Sequence, residues 1–296
     1  MLLMTLPAAL AAPPYAVVLG VAQDAGHPQA GCEKSCCAVA WADPTKGHLA
    51  ASLGIVDPDT GERWLIDATP DFPAQLRALS EAAGSPGLSG VLLTHGHMGH
   101  YTGLIHLGRE AMGTVSVPVY GMPRMREYLS SAGPWEQLVH LENITLTPLA
   151  AGESVALNAR ITVTPLLVPH RDEYTETVGY IVRGPERATL YIPDIDKWDK
   201  WSTAIEGVLG QVDRAWLDGT FYAADELPGR DMAQIPHPFV VESLSRLAPL
   251  PASERAKVHF IHLNHSNPLL DTASDAYSQV QEAGFDVAAE GDRFAL

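Results

Sequence analysis

Residues 90–100 read GVLLTHGHMGH, and the fold turns on this stretch. An apolar β-like run, residues 90–94, empties directly into a turn that carries His95, His97 and His100, and a helical pattern follows. Imidazole is the preferred neutral nitrogen ligand for zinc. Gly96 and Gly99 let the backbone coil tightly enough for His95 and His97 to converge. His100, at the start of the helix, reaches a neighbouring point. Three later segments repeat the arrangement of an apolar strand ending in a ligand-type residue. Residues 161–168 run into Pro169-His170, residues 189–192 into Pro193-Asp194-Ile195-Asp196, and residues 258–261 into His262-Leu263-Asn264-His265. Singly, each has a plain reading: His170 as a loop histidine, Asp196 as the cap of a helix beginning near Trp198. Four strand ends of this kind in one chain point to a metal centre.

Around these sites the sequence alternates short strands and helices. β-like runs rich in Val, Ile, Leu and aromatics occupy 16–20, 52–56, 64–67, 116–120, 144–147, 178–182 and 215–218, besides those above, and turn residues bound most of them. Helical patterns fall at 72–83, 101–112, 122–131, 201–212, 239–247 and 273–283; in the first, Leu76, Leu79 and Ala83 keep near-helical spacing and Gly84 is the stop. Helices enter between strands without strict alternation, which predicts an α/β chain with two mixed sheets. No repeat or long linker divides it, so residues 15–296 form one domain. Residues 1–14 read as a leader: Met1–Ala12 (MLLMTLPAALAA) is apolar and ends in small residues, although it lacks a basic n-region. That segment predicts a periplasmic or secreted protein, and a cytoplasmic one if it is not a signal.

Nineteen Lys and Arg against 35 Asp and Glu give 296 residues a net charge of −16. Such a surface repels phosphate backbones, which argues against a nucleic-acid partner, including transfer RNA. No internal apolar run approaches the roughly 18 residues of a membrane span. The expected partner is a small-molecule substrate.

The three cysteines, Cys32, Cys36 and Cys37, lie within six positions. They cannot all pair with one another, and three thiolates in a glycine-containing loop make three-quarters of a tetrahedral zinc site. His265 is the first choice for the fourth ligand and His27 the second. The competing reading is a reactive or disulfide pair, which an oxidising compartment favours.

The order His95-x-His97-x-x-His100, His170, Asp194, His262 resembles the metallo-β-lactamase fold family. The resemblance implies a four-layer αββα sandwich with its metal site at one edge of two sheets. Carried over by position, His95, His97 and His170 hold a first metal, His100 and His262 serve a second, and Asp194 bridges them, with Asp196 the less favoured bridge. Asp67 matches the family's early strand-end aspartate. Asp218 resembles a supporting position of the fold, and reads equally well as a turn-forming Asp-Gly. One departure matters: the family usually has an aspartate immediately before the last histidine of the turn, and here that residue is Gly99. The departure implies one catalytic metal, or a second held weakly for want of a carboxylate.

Within this fold, two groups carry a comparable cysteine cluster: the pyrroloquinoline quinone biosynthesis protein B family and the cyclic phosphodiesterase of phosphonate breakdown. In the latter the fourth structural ligand is a histidine three past the last catalytic one, the spacing of His262 and His265. Similarity to the former runs through Val18-Leu19-Gly20, Pro28-Gln29, Cys32, Leu217–Phe221 and Phe260–Pro268. Cys32-x-x-x-Cys36-Cys37 departs from the usual C-x-C-x-x-C, and the histidines are more complete than is usual there.

The resemblance implies a zinc hydrolase with one catalytic and one structural zinc. The metal lowers the pKa of bound water to about 7, giving hydroxide at neutral pH. Asp194 orients the nucleophile, while His100 and His262 hold a second metal or hydrogen-bond the oxyanion or leaving group. An iron-dependent oxidative enzyme of quinone-cofactor assembly is the alternative, because imidazole and carboxylate accept iron as well. A non-catalytic metal or cofactor carrier is the third reading. Tyr101 and Tyr174 lie close in sequence to ligands and read as substrate contacts or as core. Residues 121–135 and 220–236 are the stretches expected to set substrate choice, and residues 221–238 read as a long ordered loop over the site.

Overall fold

The computed structural model describes residues 12–296; Met1–Ala11, and with them nearly all of the expected leader, lie outside the described residues. Two seven-stranded sheets face each other. The first contains β1 (Tyr15–Gly20), β2 (Ser52–Asp57), β3 (Glu62–Ile66), β4 (Gly90–Leu92), β5 (Val117–Gly121) and β6 (Ile144–Pro148). The second contains β7 (Val155–Ala156), β8 (Thr162–Leu167), β9 (Val178–Arg183), β10 (Ala188–Ile192), β11 (Arg214–Asp218), β12 (Val258–Ile261) and β13 (Asp286–Val287). The C-terminal β14 (Arg293–Ala295) returns to the first sheet, in the order β14-β1-β2-β3-β4-β5-β6, and the second runs β13-β12-β11-β10-β9-β8-β7.

Successive strand side chains point to opposite faces, and here both faces are apolar because both are covered. Ala16 and Val18 of β1 join Trp64 and Ile66 of β3 in a core between the sheets, where they meet Tyr180, Tyr191 and Trp216 of the second sheet. Val17, Leu19 and Leu65 point the other way. They are covered by α2 (Phe72–Ala83), α4 (Pro123–Ser131) and α5 (Trp135–His140), which contribute Leu79, Leu129 and Leu138. On the far side, Leu190, Leu217 and Phe260 bury against α6 (Ile205–Leu209), α7 (Val240–Leu247) and α9 (Asp275–Glu282) through Leu209, Leu247 and Val280. Three apolar layers between four structural ones make the αββα sandwich expected from sequence.

Some boundaries differ. The expected helix at 101–112 is a short α3 (Met98–Tyr101) followed by a 3-10 turn, Thr102–Leu107. That at 201–212 contracts to α6, which ends at Gly210. Three helices are additional: α1 (Ser35–Ala42), which carries Cys36 and Cys37, α5, and α8 (Ala252–Arg255), which has no buried residue. No helix among the described residues is long and apolar enough to cross a membrane.

Candidate metal centre

Strand direction decides where the ligands meet. β1 and β3 both run antiparallel to β2, and β4 is parallel to β3. In the second sheet β8 and β10 both run antiparallel to β9, and β11 and β12 are parallel to β10. The carboxyl ends of these seven strands therefore open on one edge of the sandwich, the edge where open α/β sheets bind ligands. Asp24 follows β1, Asp67 follows β3, His95 follows β4, His170 follows β8, Asp194 follows β10, Asp218 closes β11 and His262 follows β12.

Two groups of donors result around the histidine turn, besides a third formed by Asp194, Asp218 and His237. His95, His97, His170 and Asp194 place one ligand atom each within 4.8 Å of one another, and Asp24, His100 and His262 do the same beside them. Asp194 lies between the two groups. Its Oδ1 is 3.3 Å from His170 Nε2. Its Oδ2 is 3.4 Å from His95 Nε2, 3.7 Å from His100 Nε2 and 4.0 Å from His262 Nε2. Several of these atoms, namely Asp24 Oδ1, His100 Nε2, both nitrogens of His170, Asp194 Oδ1 and His262 Nε2, are buried without a hydrogen-bond partner. Buried polar groups are normally satisfied, so a set of orphaned donors facing one another fits a bound cation.

The imidazoles are held from behind. Thr94 Oγ1 donates to Asp67 and accepts from His95 Nδ1 at 3.0 Å, leaving His95 Nε2 for the centre. His100 Nδ1 donates to Asp67 Oδ2 at 2.8 Å, and His262 Nδ1 donates to Thr220 Oγ1 at 2.9 Å. Thr220 Oγ1 in turn donates to Asp218 Oδ1 at 2.7 Å. His97 Nε2 lies 3.0 Å from Glu173 Oε2, which turns its Nδ1 inward. Such outer partners fix the tautomer and raise the basicity of a metal-ligating imidazole. The histidine turn is itself pinned to the second sheet: Gly96 N–H donates to Thr175 Oγ1 at 2.7 Å, and Tyr180 Oη donates to the Leu93 carbonyl at 2.5 Å.

Protonation follows the surroundings. Burial holds His95 well below the ordinary imidazole value, with the neighbouring His100 adding to it. Burial likewise brings His170 down to about 4. Burial works against the charge of Asp194, but His170, His237 and His262 outweigh it and hold the carboxyl well below the carboxylate range. Asp24 is likewise lowered, burial opposing and the adjacent His100 and His262 imidazoles prevailing. Neutral rings at His95 and His170 beside ionised carboxylates are the states that metal ligation requires, whereas at His100 burial is outweighed by Asp67 and Asp24, which hold the imidazole well above its ordinary value. The backbone is strained here: Asp24, Asp67 and His262 have φ of 34°, 69° and 66°. Non-glycine residues in this region cost of order 1–3 kcal/mol each and cluster at functional sites.

Two residues of the site were missing from the sequence reading. Asp24 Oδ1 lies 3.2 Å from His100 Nε2 and 3.6 Å from His262 Nε2. A carboxylate from the stretch after β1 thus lies beside His100 and His262, where Gly99 offers none. His237 comes from the 221–238 loop and places Nδ1 2.8 Å from Asp218 Oδ2 and 3.2 Å from Asp194 Oδ1. Burial lowers its pKa, but the charges of Asp218 and Asp194 dominate and raise it to about 9. Asp218 is thus a buried acceptor for His237, Thr220 and the Ile195 N–H rather than a simple turn residue. Asp196 faces away, bonded to Lys200 Nζ at 2.7 Å. Tyr101 is core, its hydroxyl on that of Tyr128 at 2.8 Å, whereas Tyr174 is exposed.

The cysteines form a separate cluster. Cys32, Cys36, Cys37 and His265 bring their ligand atoms within 4.8 Å of one another. Cys32 and Cys36 Sγ stand 3.8 Å apart as free thiols, far beyond the roughly 2.05 Å of a disulfide. His265 Nδ1 is turned to Asn264 Oδ1 at 3.1 Å, and burial lowers its pKa, leaving a neutral ring. His27 is placed differently: its Nε2 lies 2.9 Å from the Cys36 carbonyl, so it supports the loop. A cavity of about 600 Å³ runs between the two clusters, bounded by Asp24, Cys32, Lys34, Phe221, Arg230 and His265.

Comparison with known proteins agrees with this geometry. Residues 62–281 match the family model described as β-lactamase superfamily domain. The chain is similar to coenzyme PQQ synthesis protein B of Xanthomonas axonopodis pv. citri, 27% identical over 308 residues that cover 95% of this chain and 99% of the relative. It is also similar to coenzyme PQQ synthesis protein B of Methylobacterium nodulans, 29% identical over 311 residues that cover 93% and 98%. The structure of zinc-bound PqqB from Methylobacterium extorquens shares the fold with a TM-score of 0.80 at 22% identity, covering 95% of this chain and 100% of that one. A diphosphatase of the PhnP family shares it with a TM-score of 0.68 at 21% identity, covering 97% and 98%. With its two facing sheets, its strand-end histidines and a family match over most of its length, the chain belongs to the β-lactamase superfamily and has the metallo-β-lactamase fold.

Proposed function

We propose that the protein is a metal-dependent hydrolase of a small-molecule ester or phosphodiester, with zinc as the expected metal. The observation that carries this reading is the set of buried, unpartnered donors on Asp24, His100, His170, Asp194 and His262, all facing one edge of the sandwich. His95, His97, His170 and Asp194 would hold the metal, with Asp67, Thr94 and Glu173 orienting the rings. A metal held there supplies Lewis-acid polarisation and water of lowered pKa. Asp194 is placed to accept a proton or hydrogen bond from the attacking water. His237 Nδ1 is taken by Asp218, which leaves Nε2 to donate to a developing oxyanion or leaving group. The 221–238 loop delivers His237 and walls the cavity with Phe221 and Arg230, as a loop that excludes water must. The expected result is turnover on a panel of phosphodiesters and esters that vanishes in His97→Ala while the thermal midpoint moves little. Activity that survives His97→Ala overturns the reading.

A second reading is favoured by one feature. Asp24, His100 and His262 form a set of two histidines and one carboxylate, the pattern of non-haem iron oxygenases. The relatives named for coenzyme PQQ synthesis support a place in quinone-cofactor assembly. Under this reading the iron-loaded protein consumes oxygen in the presence of a phenolic substrate and the zinc-loaded protein does not. Equal, negligible oxygen uptake by both forms removes it.

A further inference from the structure

Gly99 stands where the family resemblance places an aspartate, and the space beside it is already filled. A Cβ built on Gly99 would fall 2.3 Å from Asp24 Oδ1 and 2.4 Å from Asp24 Cα. No side chain fits at position 99 while Asp24 keeps its place, because real Cβ atoms essentially never approach other atoms so closely. We infer that Asp24 is a transposed ligand: it replaces the missing aspartate of the turn and, with His100 and His262, holds a second metal in the centre.

Three further observations support the assignment, which rests on the proposed metal centre. Asp24 Oδ1, His100 Nε2 and His262 Nε2 are all buried and unpartnered, with Oδ1 3.2 and 3.6 Å from the two nitrogens. Asp194 Oδ2 lies 3.7 and 4.0 Å from the same nitrogens, so two imidazoles and two carboxylates enclose one point, a sufficient set for a four-coordinate metal. The backbone that presents Asp24 is fixed to the strand end that carries His262. Gln23 N–H donates to the Leu263 carbonyl at 2.8 Å, and Leu263 N–H donates to the Val21 carbonyl at 2.8 Å. Ligand and partner therefore move as one unit. Holding Asp24 at φ 34° costs strain that an unconstrained surface aspartate would relax.

The test is metal content and affinity, read independently of turnover. Asp24→Asn keeps the shape and removes the charge. Zinc titration against a competing chelator should show one equivalent weakened by about 100-fold or more, beyond what loss of a supporting partner produces. Asp24→Ala, which removes the carboxyl altogether, should lose the same equivalent while the thermal midpoint stays close to that of wild type. An unchanged second equivalent in either Asp24→Asn or Asp24→Ala overturns the inference. His97→Ala separates the two readings. If it loses a zinc while Asp24→Asn loses none, the metal centre stands and only the transposition fails. If neither substitution changes the zinc content, the centre itself fails.

Discussion

Replacing Asp194 by alanine is expected to lower kcat/KM by roughly 10³-fold or more, because the metal that activates water is no longer held. No other residue touches as much of the centre. Its two oxygens lie within 3.2 to 4.0 Å of nitrogens on His95, His100, His170, His237 and His262. Removing it leaves the surrounding imidazoles without the carboxylate that balances a cation, and both donor groups lose their shared member. Asp194→Asn should lose almost as much, since the amide keeps the shape but neither bridges two metals nor accepts at every site. The check is steady-state kinetics together with metal content on the same preparations. Full zinc content in Asp194→Ala would show that the carboxylate is dispensable and that the geometry has been misread.

Cys36→Ser should remove about one zinc ion and lower the thermal midpoint by about 10 °C or more. Structural zinc contributes folding free energy outright, with apparent binding free energies of about 10–16 kcal/mol in small zinc-finger peptides. The loss is smaller here because the three apolar layers fold without the cysteines, and only the segment around them is tied by the metal. That segment has few other anchors. His27 and His48 exchange backbone hydrogen bonds at 2.8 and 2.7 Å, and His27 Nε2 holds the Cys36 carbonyl. Of α1, only Cys37 and Ala40 are buried. Thermal unfolding and zinc analysis of the variant check the expectation together. An unchanged midpoint with unchanged zinc would return the cysteines to the role of ordinary thiols.

Much of the centre was legible in the sequence because strand periodicity and ligand chemistry coincide there. An apolar run ending in His95, His170, Asp194 or His262 announces both a strand and its carboxyl end, and parallel and alternating strands bring such ends to one edge. Asp24 escaped because it lies four residues beyond β1, past Val21 and Ala22, in a stretch whose only apparent landmark was the cysteine loop after it. Its meaning depends on the empty space at Gly99, which is visible only in three dimensions. His237 escaped for a related reason: Ile235-Pro236-His237-Pro238 has no strand leading into it, so nothing in the pattern aims the ring. The helix α1 was hidden because SCCAVAWA has no amphipathic periodicity, and it packs only two residues inward. The shortened helices after Tyr101 and Trp201 reflect tertiary packing, which local propensity does not encode.

The central claim is that the strand-end cluster binds metal independently of the cysteines. Counting metal per chain in wild type and in Cys36→Ser, by mass spectrometry after purification without chelator, tests it most directly. The account predicts about three zinc ions in the wild type, two in the strand-end centre and one among the cysteines, falling to about two in the variant. A wild-type chain holding a single ion, lost altogether in Cys36→Ser, would show that the histidine edge binds no metal and would contradict the account.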